Sequence, residues 1–274
     1  MHWWQAIALG VVEGLTEYLP VSSTGHLILT QRLLKIPADQ AADAYAICIQ
    51  AGAIVAVLWL YWPEVKKMIL GVLGRDPQGL GLAVNVIVAF LPAAVIGVLF
   101  DSEIERYLFG LWPITLAWLV GGLAILLVPR WRRRRDPEGS GGLGLTMLDW
   151  RMALWIGVAQ CLAMWPGTSR SLVTILAGTL VGLSLSAAVE FSFLLGLVTL
   201  TAATGYKAVH GGGAMVEAYG VTSMMIGFVF AAISAAIAVK WMVGYLNRHS
   251  LMIFGLYRVA LAVAVFLLLG GIPA

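Results

Sequence analysis

Residues 3–34 read Trp3-Trp-Gln-Ala-Ile-Ala-Leu-Gly-Val-Val-Glu13-Gly-Leu-Thr-Glu17-Tyr-Leu-Pro20-Val-Ser-Ser-Thr24-Gly-His26-Leu-Ile-Leu-Thr-Gln-Arg-Leu-Leu34. The stretch is apolar enough for a membrane, yet Pro20 falls in its middle. Proline has no N–H to donate and its ring clashes with the preceding turn, so a helix stops there. Each half then spans roughly 13 to 17 residues, short of the ~20 that cross a ~30 Å hydrocarbon core. Ser22-Ser23-Thr24 supplies hydroxyls that cap a returning helix. The economical reading is a re-entrant hairpin, with non-helical backbone buried in protein or lining a wet cavity.

The same device recurs at 150–183, where Pro166-Gly167 breaks an apolar run and Thr168-Ser169 follows as the cap. Gly10-Val-Val-Glu-Gly-Leu aligns there with Gly157-Val-Ala-Gln-Cys-Leu. After the first hairpin come the spans Ala44–Trp62, Leu82–Phe100 and Leu111–Val128; after the second come Ala187–Tyr206, Val221–Val239 and Leu251–Leu269. An odd number of spans between the hairpins inverts the second against the first, the pattern of an inverted-topology repeat with its site near the midplane. The expected fold is an all-α polytopic membrane protein of six transmembrane helices plus two re-entrant helical hairpins. Residues 1–128 form the first repeat, 129–149 a basic cytoplasmic linker, and 150–274 the second repeat.

Composition agrees. Of 274 residues, 61% are hydrophobic and 11% charged, and mean hydropathy is +0.91. Soluble domains carry about 25% charged residues. The net charge of +3 is too small to imply a nucleic-acid partner. Its placement is informative, because the loops 63–81, 129–151 and 240–250 hold most of the 17 basic residues. They include Lys66, Lys67, Arg75, Arg130, Arg132 to Arg135, Arg151, Lys240 and Arg248, against Arg32, Lys35, Arg106 and Lys207 on the other side. The richer side is expected to be cytoplasmic. Cys48 and Cys161 sit in apolar runs without metal-ligand spacing and read as small buried hydrophobes. The N-terminal run lacks a basic leader and contains Glu13 and Glu17, so it is not expected to be a removable signal.

Ionisable residues inside a membrane are functional candidates by default. Glu13 and Glu17, spaced i, i+4, stand on one helix face, where a divalent cation, Mg²⁺ or Ca²⁺, would resolve their repulsion. His26, one turn past the first cap, reads as an acid–base or nucleophilic group. Arg170 follows the second break and matches phosphate oxygens; pairing with Glu13 or Glu17 is compatible with that role. Two helix N-termini beside one arginine make an anion site. Ser22, Thr24, Thr168 and Ser169 are candidates for holding the anion. Ser23 and Ser169 serve as caps or meet substrate, and Arg258 reaches the site or holds the last helix; the sequence leaves both pairs open. Gln160 replaces Glu13 in the second repeat, which favours one catalytic centre over two. These residues alone reach a membrane protein that handles a phosphorylated, lipidic anion with a metal.

At this point the sequence resembles a known family. Glu13-Gly-Leu-Thr-Glu-Tyr-Leu-Pro-Val-Ser-Ser-Thr-Gly-His26 and Pro166-Gly-Thr-Ser-Arg-Ser171 look like the two signatures of the undecaprenyl-diphosphate phosphatases, the bacitracin-resistance family. The similarity continues through Glu190-Phe-Ser-Phe-Leu-Leu195 and Leu256-Tyr-Arg258. The resemblance implies hydrolysis of undecaprenyl diphosphate to the monophosphate and phosphate, which recycles the carrier lipid for peptidoglycan synthesis. It also implies a multi-pass protein of the bacterial inner membrane, with a metal requirement and a site opening to the periplasm. By position, Glu13 and Glu17 would hold the metal, Arg170 would neutralise the departing phosphoryl group, and Ser23 or His26 would attack. The preferred assignment is Ser23 as nucleophile or phosphate contact, with His26 as general acid–base. Expected partners are a polyprenyl diphosphate and membrane lipid, with a homodimer allowed. Two departures stand out: Leu172 replaces the glycine after Ser-Arg-Ser and is expected to crowd the second tip, and Val198 replaces a proline.

The competing reading is a flippase for undecaprenyl phosphate, since broken inverted repeats are transporter architecture. The other large lipid-phosphatase signature, SR-x5-H, fails because Leu176 stands where the histidine belongs. A purely structural role leaves the ionisable residues at two helix breaks unexplained.

Overall fold

The computed structural model describes residues 1–37, 40–108, 110–135 and 141–269. The side chains of Arg130, Arg132 to Arg135 and Lys207 lie outside that description, as do linker residues 136–140 and the terminal 270–274. The side chains of the expected linker's charge run therefore lie outside the description, while its backbone through Arg135 is helical and not a loop.

Among those residues the chain is helical, with no strand beyond an isolated bridge between Leu143 and Leu183. The first broken region forms α1 (Trp3–Glu17) and α2 (Ser23–Leu33). Pro20 ends the first helix as the sequence requires, and the chain turns through Tyr18–Ser22 before the second begins. Next come α3 (Gln40–Leu60) and α4 (Trp62–Val72), bent by 80° at the junction. Pro63, at the start of α4, has no N–H to continue α3. Then follow α5 (Pro77–Leu108) and α6 (Leu111–Arg135). The second broken region is α7 (Trp150–Gln160), a short 3-10 turn (Cys161–Met164) and α8 (Arg170–Leu180). α9 (Leu185–Leu246) is two arms meeting at Gly220, whose φ of +70° no helix contains. α10 (Met252–Leu269) closes the described chain.

Among the described residues, four stretches are long and apolar enough to cross a membrane: Pro77–Phe100, Leu111–Val128, Leu185–Tyr206 and Tyr219–Leu246. The bent α3–α4 pair makes five if it counts as one span. The sixth expected span lies on α10, where the apolar stretch Met252–Leu268 is shorter. Val98, Leu99, Leu267 and Leu268 are each at least 66% exposed, on surfaces that lipid would cover.

The packing exchanges partners between the two halves. α1 lies on the second arm of α9, where Gly10 meets the Gly227 carbonyl and Gly14 meets Ala231 and Ser234. α7 lies on α5, where Gly157 meets the Ala89 backbone. In both places a missing Cβ lets two helix backbones touch. The core beneath runs from Tyr18 and Val21 through Leu172, Ile175, Phe191 and Phe193.

Candidate active site

The two breaks meet. Ser22 and Ser169, the residues before α2 and α8, both adopt positive φ, 74° and 76°. Non-glycine residues rarely take that conformation, and they persist there only where the surroundings hold them. Those surroundings are shared. Ser171 Oγ donates to the Leu19 carbonyl at 3.0 Å, tying the second tip to the first. Trp118 Nε1 of α6 donates to Val21 O at 3.1 Å, and Trp165 Nε1 donates to Pro113 O of α6 at 3.1 Å.

Arg258 completes the clamp. It is fully buried and donates from Nη1 to Pro20 O (3.3 Å) and from Nη2 to Gly167 O (2.8 Å) and Ala117 O (2.9 Å), while Nε reaches Trp118 O (3.4 Å). Gly121 leaves the space its guanidinium fills. Of the two sequence readings, the structure therefore places Arg258 behind both tips and away from the cavity, because four main-chain carbonyls converge there and a fork of donors satisfies them.

In front of the tips lies a cavity of about 480 Å³. Its polar lining comprises Glu17, Ser22, Ser23, Thr24, Ser169 and Arg170 from the two tips, with Gln50, Gln160 and Thr199 from the helices. The rest of the lining is largely apolar, including Phe90, Ala93, Ala94, Val98, Met164, Leu200, Ala202, Ala203 and Tyr206. Arg170 Nη2 donates to Glu17 Oε1 at 3.2 Å, a pair whose side chains are 10% and 6% exposed. Arg170 Nη1 donates to Ser192 O at 3.0 Å, and the guanidinium lies 5.2 Å from the centre of the Tyr18 ring. Ser23 Oγ donates to the other carboxylate oxygen of Glu17. One carboxylate thus aligns an arginine and a hydroxyl from opposite tips. Both tips also bring helix N-termini to this cluster, favourable ground for an anion.

Glu13 is buried beneath Glu17, in direct interaction with it, and its Oε2 has no hydrogen-bond partner. No group of three or more His, Cys, Asp or Glu side chains gathers among the described residues. Two carboxylates still suit Mg²⁺, which commonly takes one or two from protein and completes its shell with substrate oxygens and water. The orphaned Glu13 oxygen and the charge balance, two carboxylates against Arg170, fit a cation here.

The remaining candidates lie elsewhere. Thr168 is outside the cavity lining, and its amide N–H closes a turn on Trp165 O at 3.1 Å. His26 is outside it too, against Trp118 and Tyr257. Leu172 does not crowd the cavity; it is buried over Gly121, its Cδ2 at 2.9 Å from where a Cβ there would stand. Val198 packs at the edge of the core. Sequence reading missed Gln50 and Thr199, whose signal was a polar side chain within an apolar span.

A family model described as Bacitracin resistance protein BacA matches residues 6–264. An undecaprenyl-diphosphatase of Sorangium cellulosum is 43% identical over 266 residues, covering 97% of this chain and 86% of the relative. An undecaprenyl-diphosphatase 2 of Rhodospirillum rubrum is 43% identical over 261 residues, 95% of this chain and 93% of its own. One from Methylococcus capsulatus is 43% identical over 263 residues, 96% and 93% respectively. With tips, cavity and signatures in one place and similarity across nearly its whole length, this chain belongs to the bacitracin resistance protein BacA family.

Proposed function

We propose that this chain hydrolyses undecaprenyl diphosphate to undecaprenyl phosphate and inorganic phosphate in the bacterial inner membrane, recycling the carrier lipid and conferring bacitracin resistance. The observation that carries the chemistry is the Arg170–Glu17–Ser23 cluster in a cavity whose lining is otherwise largely apolar. A diphosphate fits the cluster and a prenyl chain the apolar lining.

Ser23 Oγ attacks the terminal phosphorus, its proton passing to Glu17. The bond from that phosphorus to the bridging oxygen breaks, and undecaprenyl phosphate leaves with the bridging oxygen. Arg170 balances charge on the transferred group, and water then cleaves the phosphoserine to release phosphate. Ser22, Thr24, Ser169 and the helix N-termini hold the equatorial oxygens. Most of the catalysis is positioning and charge stabilisation, as is usual for phosphoryl transfer. A divalent cation, Mg²⁺ or Ca²⁺, held by Glu13 and Glu17 would supply further positive charge to the diphosphate oxygens.

In the topology that goes with this reading, residues 1–128 and 150–274 are inverted repeats, each a re-entrant hairpin and three spans, joined by the linker 129–149. The site opens to the periplasm. The matched positive φ at Ser22 and Ser169 and the exchanged helix packing support it. The same packing is what favours a flippase as the second reading.

Phosphate release from a polyprenyl diphosphate in detergent, where transport contributes nothing, tests the proposal. Release that needs Mg²⁺ or Ca²⁺ and disappears in Glu17→Ala and Arg170→Ala is the expected result. Well-folded wild type that releases no phosphate with any metal would overturn it and leave lipid transport as the leading reading.

A further inference from the structure

The two serines at the tips are held in the same backbone conformation by different means. Ser169 caps its own helix: its Oγ accepts from Leu172 N at 3.3 Å. Ser22 makes no such bond, so its hydroxyl is left over at the cavity wall. What pins Ser22 instead is its carbonyl, 2.7 Å from His26 Nδ1. A carbonyl can only accept, so Nδ1 carries the proton. In the neutral ring Nε2 is then an acceptor, and it lies 2.7 Å from Tyr257 Oη of α10, which donates to it. The imidazole stacks on the Tyr257 ring at 5.7 Å, 9° from parallel, and meets the edge of Trp118 at 5.5 Å. Both ring nitrogens of His26 are thus engaged by protein, and the ring does not line the cavity.

We infer that His26 and Tyr257 form a positioning pair: they fix the left-handed turn at Ser22, which frees the Ser22 hydroxyl for a phosphate oxygen and aims Ser23 at the transferred phosphorus. Neither exchanges a proton with substrate. Arg258 holds the matching carbonyls of both tips, Pro20 O and Gly167 O, so the difference lies in the serines: the second tip needs no such pair because Ser169 caps its own helix; Val173 stands at the position that matches His26 in the repeat. This rests on the phosphatase reading for its consequence, and not for its geometry.

Two readouts separate positioning from acid–base work. Asparagine places an amide nitrogen where Nδ1 stands, so His26→Asn keeps the bond to Ser22 O and loses any proton transfer. His26→Asn should retain phosphate release to within about fivefold, the worth of one ordinary hydrogen bond, with an unaltered pH–rate profile. His26→Leu should lose far more, and Tyr257→Phe should lower kcat by a few-fold with KM unchanged. An acid–base group would instead cost about 10²–10⁴-fold in His26→Asn and remove a limb of the profile, which would overturn the inference. The second readout needs no turnover: ¹⁵N imidazole spectra of detergent-solubilised protein, with the His26 signal assigned by its loss in His26→Asn. The Nδ1–H tautomer, unchanged when a non-hydrolysable methylene diphosphonate lipid is added, is expected. An Nε2–H tautomer, or a protonation change on adding the analogue, would overturn it. Absence of phosphate release in wild type would sink the phosphatase reading alone and leave the tautomer result standing.

Discussion

Arg258 shows no surface, yet it binds four carbonyls, those of Pro20 and Gly167 at the two helix breaks and those of Ala117 and Trp118 on α6. Hydrogen bonds from a charged donor are worth about 1.5–3 kcal/mol each, and removing the donor leaves buried acceptors unpaired. Arg258→Met should therefore lower the thermal midpoint markedly and reduce phosphate release more than tenfold, as thermal unfolding and the release assay would read together. A substrate contact would lose activity with the midpoint unmoved. Glu17 makes the opposite case, a charge whose effect depends on what else is bound. With chelator present, Glu17→Gln should bind the diphosphonate analogue more tightly than wild type, since a repelling carboxylate is gone. With Mg²⁺ the order should reverse, because a ligand is lost; calorimetry under both conditions would check the sign. An unchanged order would remove Glu17 from metal binding. The identities of this cluster were legible in the sequence, because membrane-embedded charges are rare enough to point at function. Their division of labour was not. Whether Arg258 faces substrate or clamps loops, and which rings His26 packs against beyond its local bond to Ser22, depends on residues more than 90 positions away in the chain.

At the scale of the helix, the breaks are readable from Pro20 and Pro166 because proline acts locally, through its own missing N–H and its ring. The bend between α3 and α4 has the same cause in Pro63, but the apolar run continues into Tyr61-Trp62 and masks it. The packing partners are not readable, because which helix lies on which follows from a shape that both halves build jointly. Two glycines test that shape. A Cβ at Gly157 would enter the Ala89 backbone of α5, which has no flexible end to give way. Gly157→Val should push α7 off α5 and lower the yield of folded, monodisperse protein. At Gly205 an added Cβ would find no heavy atom within 4 Å, so Gly205→Ala should leave the midpoint unchanged or raise stability by up to about 1 kcal/mol of helix propensity. Size-exclusion profiles and thermal unfolding in one detergent would compare the pair.

For the molecule as a whole, the two helix breaks solve a problem of solvent. A diphosphate needs donors and charge, its prenyl tail needs hydrocarbon, and a continuous apolar helix offers only the second. Breaking two helices and facing their N-termini together exposes polar backbone to a cavity, a setting in which a membrane protein tolerates it. The remaining cavity wall is then free to stay apolar. On this account recognition divides within the cavity: the polar cluster sets turnover, and the apolar wall of α5 and the first arm of α9 sets which lipid is held. Ala94, on α5, belongs to the apolar lining and takes no part in the hydrogen bonds of the Arg170–Glu17–Ser23 cluster. Ala94→Trp would fill tail space without removing a polar contact. A buried methylene contributes about 0.8 kcal/mol, so excluding even two or three from the wall should raise KM for a long polyprenyl diphosphate by about tenfold or more. A soluble short-chain diphosphate, whose tail leaves that wall largely empty, should be hydrolysed with nearly unchanged KM, and kcat should hold for both. Steady-state phosphate release from the two substrates, wild type against variant, would read this directly. Equal losses on both would place the tail elsewhere on the protein and return the apolar wall to a packing role.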